Sequence, residues 1–272
     1  MNLKEFNPSA GSTQSSNLMP VLFVGHGSPM NAIENNEFTA AWQSLGKSLP
    51  KPRAILCISA HWETAGTMVT AMPKPRTIHD FYGFPEQLFR VQYPAPGSIP
   101  VAYETRDEAP ASQVGLDESW GIDHGSWSIL THMFPEASIP VLQLSLDYTL
   151  SPSAHYDLGR QLAGLRRKGI LVIGSGNMVH NLRMINWHNP DGGHEWANES
   201  NEKLKKLILE GNHNKLKDYT TLGPDISLSV PTPEHFLPLL YVLAMQEKNE
   251  SVSFFNDKTI YGSLSMTSIK IS

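Results

Sequence analysis

The chain of 272 residues contains a single cysteine, Cys57, so it cannot form a disulfide bond within itself. Cys57 lies in the apolar run AILCIS, which is typical of a buried and unreactive thiol; the sequence therefore predicts a reducing, cytoplasmic location and argues against thiol catalysis. Basic residues are not in excess either, because 21 Lys and Arg stand against 26 Asp and Glu and the net charge is −5. We therefore expect no general attraction to nucleic acid or to an anionic membrane, and a small molecule as the partner.

Long hydrophobic runs are also missing. The longest, FLPLLYVLAM at 236–245, is shorter than the roughly 20 residues of a membrane-spanning helix. Residues 1–19 are polar and lack the apolar centre of a signal peptide, so we predict a flexible N-terminal tail there. No linker or repeat divides the remainder, and we expect residues 20–272 to form a single domain.

Several familiar catalytic motifs are absent. GGHEWAN has Asn198 where a zinc-protease helix has its second histidine, and GSGNMV has Val179 where a dinucleotide-binding loop has its third glycine. The chain contains neither a phosphate-binding GxxxxGK[ST] loop nor a GxSxG nucleophile elbow. These classes of enzyme are therefore excluded by their motifs.

What the sequence does contain is an alternation of short apolar strands and helical segments. Apolar runs at 21–24, 54–59, 141–146 and 170–175 predict buried parallel strands, and helices are predicted at 35–49, 151–169, 197–211 and 232–247. The alternating segments 251–255 and 263–271 favour antiparallel strands at the sheet edge. The sequence thus predicts an α/β fold with a mostly parallel sheet flanked by helices.

Three histidines directly follow predicted strands: His26, His61 and His180. Because ligands bind beyond the carboxyl ends of the strands in an open α/β sheet, we expect these side chains to converge in one crevice, with His235 in the first turn of the last predicted helix as a fourth candidate. Neutral imidazoles bind divalent metals well, so the pattern predicts a metal centre at the strand ends. Taken singly, His26 and His61 also fit an interpretation as caps of strand ends.

Two further segments place polar residues among aromatic ones. His124 lies in WGIDHGSW, where a catalytic or supporting role and simple packing between the two tryptophans are both open. His79 and Asp80 in TIHDFYGFP are interpreted as a wall of the substrate pocket or as a loop anchor. The turn-rich segments 72–99 and 186–196 are predicted to form pocket walls.

The order and spacing of several motifs point to one known family. The motifs are GHGSPM, SAHW, TIHDFYGFP, YPAPG, WGIDHGSW, GSGNMVHNLR and PTPEHFLPLLY. From about Pro20 onwards the sequence closely resembles the 4,5-DOPA extradiol dioxygenase family, which belongs with the catalytic subunits of the class III extradiol ring-cleaving dioxygenases. The resemblance implies a single α/β catalytic domain around a mixed central sheet, with one metal ion in a crevice.

The resemblance also implies roles for the histidines. His26 and His61 match the two metal-binding histidines of the family, His235 matches a further metal-site histidine, and His180 matches a histidine that the metal-site pattern also includes. In protocatechuate-cleaving relatives the histidine near His180 acts as a base and the third ligand is a glutamate. Because PTPEHF offers both Glu234 and His235, the identity of the third ligand and the choice between ligand and base for His180 both stay open.

The implied reaction is the opening of a catechol ring by O2, with L-DOPA or a related catecholic acid as the expected substrate. A catechol chelates Fe2+ through both oxygens, and three protein ligands leave a position for O2. We assign His180 as the base that removes the second phenolic proton, and His124 as an acid or as a group that stabilises the bound oxygen.

The metal and the class of function have alternatives at this stage. Imidazole ligands suit both Zn2+ and Fe2+, but zinc has no redox chemistry, so oxygenase activity requires Fe2+. A zinc-dependent hydrolase could use the same histidines to activate water. A non-enzymatic interaction protein with this fold is the third hypothesis, because a fold does not determine a function.

Overall fold

The computed structural model describes residues 18–272, so the predicted tail at 1–19 lies, except for its last two residues, outside the described residues. In the described part of the chain the β-strands are β1 Val21–Gly25, β2 Ala54–Thr64, β3 Met68–Thr70, β4 Arg76–Thr77, β5 Gly115–Asp117, β6 Gly121–Ile122, β7 Val141–Asp147, β8 Ile170–Gly176, β9 Val252–Phe255, β10 Thr259–Ile260, β11 Leu264–Ser265 and β12 Ser268–Ile271. The α-helices are α1 Glu37–Ser48, α2 Glu86–Phe89, α3 Ile99–Glu108, α4 His124–Met133, α5 Pro152–Leu162, α6 Glu195–Leu209, α7 His213–Lys217, α8 Pro224–Ser229 and α9 Leu237–Ala244.

The main sheet has the strand order β5-β3-β7-β2-β8-β1-β12-β9. Its four central strands, β7, β2, β8 and β1, run parallel to one another. At one edge β12 pairs antiparallel with β1 and β9 pairs antiparallel with β12, and at the other edge β3 pairs antiparallel with β7. Every residue of β1 and β8 is buried, as expected of parallel strands that are covered on both faces. The prediction of an α/β fold with a mixed, mostly parallel sheet is therefore confirmed.

The helices cover the sheet through two separate apolar clusters. Val21 and Phe23 of β1 pack into one cluster with residues of α5 and α9, while Leu22 and Val24 pack into the other with Trp42 of α1 and residues of α4. Successive side chains of a strand point to opposite faces, so the alternation in β1 separates the two layers. Within residues 18–272 no helix is long and apolar enough to cross a bilayer.

Most predicted elements are confirmed, but the helix predicted at 232–247 is wrong at its start. The helix begins at Leu237, and the chain from Pro233 to Phe236 forms a turn in which the N–H of Phe236 donates to the carbonyl of Pro233 at 2.9 Å. Thr232 does not cap the helix, because its hydroxyl donates to the carboxylate of Glu234. His235 therefore lies before the helix rather than in its first turn.

Two strand predictions also need correction. The strand predicted at 54–59 continues to Thr64, so His61 lies inside β2 instead of after it; the pairing of β2 with β7 shifts register between Ile58 and Glu63. The strand predicted at 263–271 is divided into β11 and β12 by Met266 and Thr267. The extension of β2 depends on its pairing with β7, and the division of 263–271 follows a change of partner, from β10 for β11 to β1 and β9 for β12. Local patterning encodes neither of these pairings.

Candidate metal centre

Five histidine rings line one cavity of about 660 Å³ at the carboxyl ends of the central strands: His26, His61, His124, His180 and His235. The segments predicted to form pocket walls contribute Asp80, Phe81 and Phe84, and Trp187, Pro190 and Asp191. The structure thus brings together every histidine that the sequence analysis selected for a metal or catalytic role. His79 lies apart, with its Nε2 2.9 Å from the carbonyl of Val91.

The sheet positions the first two rings. His26 follows β1 directly, and its N–H donates to the carbonyl of Gly176 at the end of β8. His61 lies in the irregular part of β2 between Ile58 and Glu63, and its Nε2 is 3.1 Å from Nε2 of His26. The two rings meet because β1 and β2 flank β8 in the sheet.

The other rings come from loops and a helix start. His124 is the first residue of α4, whose N-cap Asp123 accepts a hydrogen bond from the N–H of Ser126. The next residue is Gly125, and a Cβ there would lie 2.7 Å from Cδ2 of His61, so only glycine allows α4 to approach β2 this closely. His180 follows β8 by four residues, and His235 is held beside the same strand end by the N–H of Asn177, which donates to its carbonyl.

Three of the rings form a nearly equilateral triangle. The ring centroids are 5.0 Å apart for His26 and His61, 5.4 Å for His26 and His235, and 5.1 Å for His61 and His235. The planes are inclined to one another by 50° or more. Three histidine rings at these centroid distances are close enough for their side chains to share one metal ion.

Hydrogen bonds determine the tautomer of His26. Its Nδ1 lies 3.0 Å from the hydroxyl of Ser175, and that hydroxyl donates its own hydrogen to the carbonyl of Gly125 at 2.6 Å. The Ser175 oxygen can then only accept from the ring, so Nδ1 of His26 carries the hydrogen and Nε2 keeps its lone pair. A lone pair on Nε2, with the other nitrogen donating, is the usual state of a metal-binding imidazole.

His235 has the same arrangement. Its Nδ1 lies 3.1 Å from Oε1 of Glu234, and because a carboxylate only accepts, Nδ1 is the donor and Nε2 again keeps its lone pair. The Nε2 atom is buried and has no hydrogen-bond partner among the described residues. A buried polar atom without a partner is costly, and a bound cation would satisfy it. The donor set therefore fits a divalent metal.

Burial keeps these imidazoles neutral. Burial, reinforced by neighbouring histidines, lowers the pKa of His26 and of His235 well below the usual value of a histidine. Burial also lowers the pKa of His61, and it lowers that of His180 to about 4. Neutral imidazoles offer their lone pairs at physiological pH, and they leave the charge of a bound dication undiminished.

The ligand atoms fall into two groups, each within 4.8 Å: His26 with His61 and His124, and His180 with Glu234 and His235. Glu234 is already engaged, because its Oε1 accepts from the hydroxyl of Thr232 and from His235. This favours His235 over Glu234 as a ligand, with the carboxylate orienting the ring.

The ring of His180 lies outside the triangle and is parallel to one of its three rings. It stacks on the ring of His235 with centroids 3.5 Å apart and planes only 8° apart. The lone pairs of imidazole lie in the ring plane, so two stacked parallel rings direct them side by side rather than towards one ion. This geometry favours a role for His180 beside the metal rather than on it.

Asp80 links the remaining ring to the site. Its Oδ1 accepts the backbone N–H of His124 and lies 2.9 Å from Nδ1 of that residue, although this ring N–H is not aligned for a hydrogen bond. Its Oδ2 lies 3.7 Å from Nδ1 of His61. Burial would raise the pKa of Asp80, but its contacts with the two histidines outweigh burial and lower it.

A buried polar network behind the histidines was not identified from the sequence. Asp123, which is fully buried, accepts from the hydroxyl of Ser59 and from the side chain of Gln143, each at 2.8 Å. Gln143 in turn accepts the backbone N–H of Asp123. The only sequence signal was a set of polar residues within apolar strands. This network and Ser175 fix the start of α4 against β2 and β8.

The chain is similar to known proteins over most of its length. A family model described as "Catalytic LigB subunit of aromatic ring-opening dioxygenase" matches residues 20–268. A protein of Escherichia coli (strain K12) named 4,5-DOPA dioxygenase extradiol is 48% identical over 261 residues, which cover 94% of this chain and 96% of that protein. A protein of Beta vulgaris with the same name is 37% identical, over 93% of this chain and 97% of its own.

A solved structure is similar over nearly the same range. The crystal structure of an uncharacterized protein from Escherichia coli K12 matches with a TM-score of 0.82 and 43% sequence identity, covering 93% of this chain and 100% of that one. The match to the family model, over residues 20–268, spans all five histidines of the cavity.

Proposed function

The chain belongs to the LigB family of aromatic ring-opening dioxygenases and is an extradiol ring-cleaving dioxygenase, and we propose that it acts with Fe2+ on L-DOPA or a related catecholic acid. The family is metal-dependent, which agrees with the clustered ligand atoms described above. A small aromatic molecule and O2 are accordingly the reactants.

The observation that carries the proposal is the triangle of His26, His61 and His235 at the floor of an apolar cavity. These three side chains would hold the metal, with Glu234 orienting His235 through Nδ1. A bound Fe2+ would supply the redox chemistry with O2 and a site that both catechol oxygens can share. Phe81 and Phe84 line the cavity and offer apolar walls for the flat ring of the substrate.

Proton transfer is assigned to the two histidines outside the triangle. His180 lines the cavity, and burial lowers its pKa to about 4, so a neutral ring nitrogen is available to accept the phenolic proton of a bound catechol. His124 lies at the opposite side of the triangle, with its ring centroid 3.9 Å from that of His61. Asp80 occupies the Nδ1 side of His124, so Nε2 is the nitrogen left to exchange a proton in the cavity, and it could donate one only from the doubly protonated ring.

Anaerobic loading with Fe2+, followed by addition of L-DOPA and oxygen, tests the proposal. We expect oxygen uptake in proportion to a yellow ring-opened product, and none of either with the Zn2+-loaded protein. His235→Ala should lose bound iron and activity together. His213→Ala is the matched control, because His213 is half-buried against Tyr156 and lies outside the cavity lining.

Two results would contradict the proposal. Hydrolysis of esters or amides that depends on Zn2+ and consumes no oxygen would identify a hydrolase instead. Full iron content in His235→Ala together with metal loss in Glu234→Gln would make Glu234 the third ligand.

A further inference from the structure

The mouth of the cavity, which we define by Glu34, Glu37, Trp187, Asp191 and Tyr261, carries an excess of negative charge. Three of the lining residues are exposed acids, Glu34, Glu37 and Asp191, whereas the histidines at the floor are buried or half-buried. Among the described residues that line the cavity there is no Lys or Arg. A substrate that enters the cavity therefore passes carboxylates and meets no cationic side chain in the walls.

One nearby lysine neutralises part of this charge. Nζ of Lys258 lies 2.7 Å from Glu37 and 3.3 Å from Asp191, so one positive charge is shared between two carboxylates. Glu34 makes no ion pair within residues 18–272, and its carboxylate is exposed at the mouth. The three acids and one lysine leave a net negative charge where the outer end of a substrate would lie.

Aromatic residues at the same mouth also favour a cation. Trp187 is 71% exposed and lines the cavity, and its ring centroid lies 5.4 Å from that of Tyr261, which lines the cavity as well. The faces of indole and phenol rings attract ammonium groups and repel carboxylates. Charge and aromatic surface therefore act in the same direction.

The mouth and the floor belong to one ligand site. His235 is only 7% exposed, lines the same cavity, and presents a buried Nε2 that has no partner among the described residues. A catechol held at the floor by its two oxygens would extend its ring substituent towards the acidic mouth. The charge of that substituent would then interact with the carboxylates of Glu34, Glu37 and Asp191.

We propose that the mouth selects catechols by the charge of their side chain, favouring an ammonium group and disfavouring a carboxylate, with Glu34 as the main determinant. This inference rests on the proposed ring-cleaving function and narrows its substrate class to catechols that carry an ammonium group, such as L-DOPA, so that a catecholic acid without an ammonium group is a poor substrate. In L-DOPA, which carries both groups, the ammonium is the recognised one. A catecholamine that lacks the carboxylate is therefore the better substrate.

Four catechols with side chains of similar length provide the test: dopamine as the cation, 4-ethylcatechol as the neutral reference, 3-(3,4-dihydroxyphenyl)propionate as the anion, and L-DOPA as the zwitterion. The readouts are kcat/KM for the Fe2+-loaded enzyme and, without turnover, Kd for the Zn2+-loaded protein under anaerobic conditions. We expect the cation to be preferred and the anion to be disfavoured in both. The preference should weaken as salt is raised from ~0.02 M to ~0.5 M, because exposed charges are screened.

Variants assign the effect to one residue. Glu34→Gln should lower the cation-to-anion ratio roughly two- to fivefold, the size of an exposed charge interaction, and Glu34→Lys should lower it further. Glu136→Gln is the matched control, because Glu136 is an exposed glutamate that does not line the cavity, and its ratio should equal that of the wild type.

Different results would contradict the charge selection and the proposed ring-cleaving function. A preference for the anion, or a ratio that neither salt nor the Glu34 variants change, would overturn the charge selection even if every catechol is cleaved. Absence of oxygen uptake with all four catechols would overturn the proposed function, and the Kd series would still decide the charge preference.

Discussion

Buried polar side chains lie at both ends of the central strands, but the two ends differ in whether these side chains have hydrogen-bond partners within the protein. At the amino ends, Arg166 is fully buried and donates to the carbonyls of Met19 and Met245 and to the carboxylate of Glu250. At the carboxyl ends, Nε2 of His235 is buried and has no partner within residues 18–272, and the Nε2 atoms of His26 and His61 face each other.

This difference separates a structural site from a chemical one. Arg166 ties the turn before β8 to Met19, which leads into β1, and each of its three side-chain nitrogens donates to a partner within the chain. The histidines leave lone pairs directed into a cavity, a state that is favourable only when a ligand completes it. Removing a group from each end should therefore affect different properties: function at the carboxyl ends and stability at the amino ends.

The largest expected effect is on turnover at the carboxyl ends. We expect His180→Ala to lower kcat for catechol cleavage by ~10²–10⁴-fold, the range of general acid–base catalysis, because the phenolic proton loses its acceptor. Elemental analysis should find wild-type iron content, since His180 stacks beside the triangle rather than within it. Loss of iron in parallel with activity would instead make His180 a ligand, and strong residual turnover would remove it from the mechanism.

The next effect is on stability at the amino ends. Arg166→Ala should lower the free energy of unfolding by about 3–5 kcal/mol, because it leaves the half-buried carboxylate of Glu250 and the carbonyls of Met19 and Met245 without the donor that they share. Urea denaturation measures the change. Arg53→Ala is the matched control: its ion pair with Glu104 is considerably exposed, so we expect about 0–1 kcal/mol. Equal losses in the two variants would contradict the distinction.

The sequence predicted the fold well because a parallel sheet leaves a strong local signal. Buried strands such as β1 and β8 are continuous apolar runs, and their bounds agree with the predictions to within a residue or two. The convergence of His26 and His180 followed from one rule, that the carboxyl ends of parallel strands share one edge. The end of β2 was missed because its extension to Thr64 depends on pairing with β7 after a register shift.

The supporting residues of the site were not predictable in the same way. Ser175 lies in β8, where a single small polar residue among apolar ones gives no indication of its partners; its contacts reach His26 and Gly125, at sequence separations of 149 and 50 residues. His79 and Asp80 were interpreted as a pocket wall or a loop anchor, and of the two only Asp80 lines the cavity; its contact with His124 spans 44 residues. Such contacts exist only after the chain has folded.

Ser175 lies at the carboxyl ends of the strands but does not line the cavity, and we expect it to act on His26 only through their hydrogen bond. Ser175→Ala should weaken Zn2+ binding by ~10–100-fold, as expected when the partner of a ligating histidine is removed, because Nδ1 of His26 then loses its acceptor. Competition titration against a chromogenic chelator measures the affinity. Ser128→Ala is the control, since the hydroxyl of Ser128 is buried and has no hydrogen-bond partner in the part of the chain that the structure describes. An affinity that both variants leave unchanged would exclude a role for Ser175 in orienting His26.

The smallest effect is a pH dependence at the amino ends. Burial would raise the pKa of Glu250, but hydrogen bonds from Arg166 and from the N–H of Glu247 outweigh burial and lower it. A carboxyl group whose pKa is lower in the folded state adds stability above its unfolded pKa, about 4.3, and this stability is lost as the pH falls through the folded value. The difference in unfolding free energy between the wild type and Glu250→Gln should therefore be constant from about pH 6 to 8, which is roughly 2 to 4 units above that pKa. The difference should shrink as the pH falls below this range. A difference that grows as the pH falls would mean that the carboxylate is destabilising in the folded protein, and the amino ends would then not be the satisfied half of the comparison.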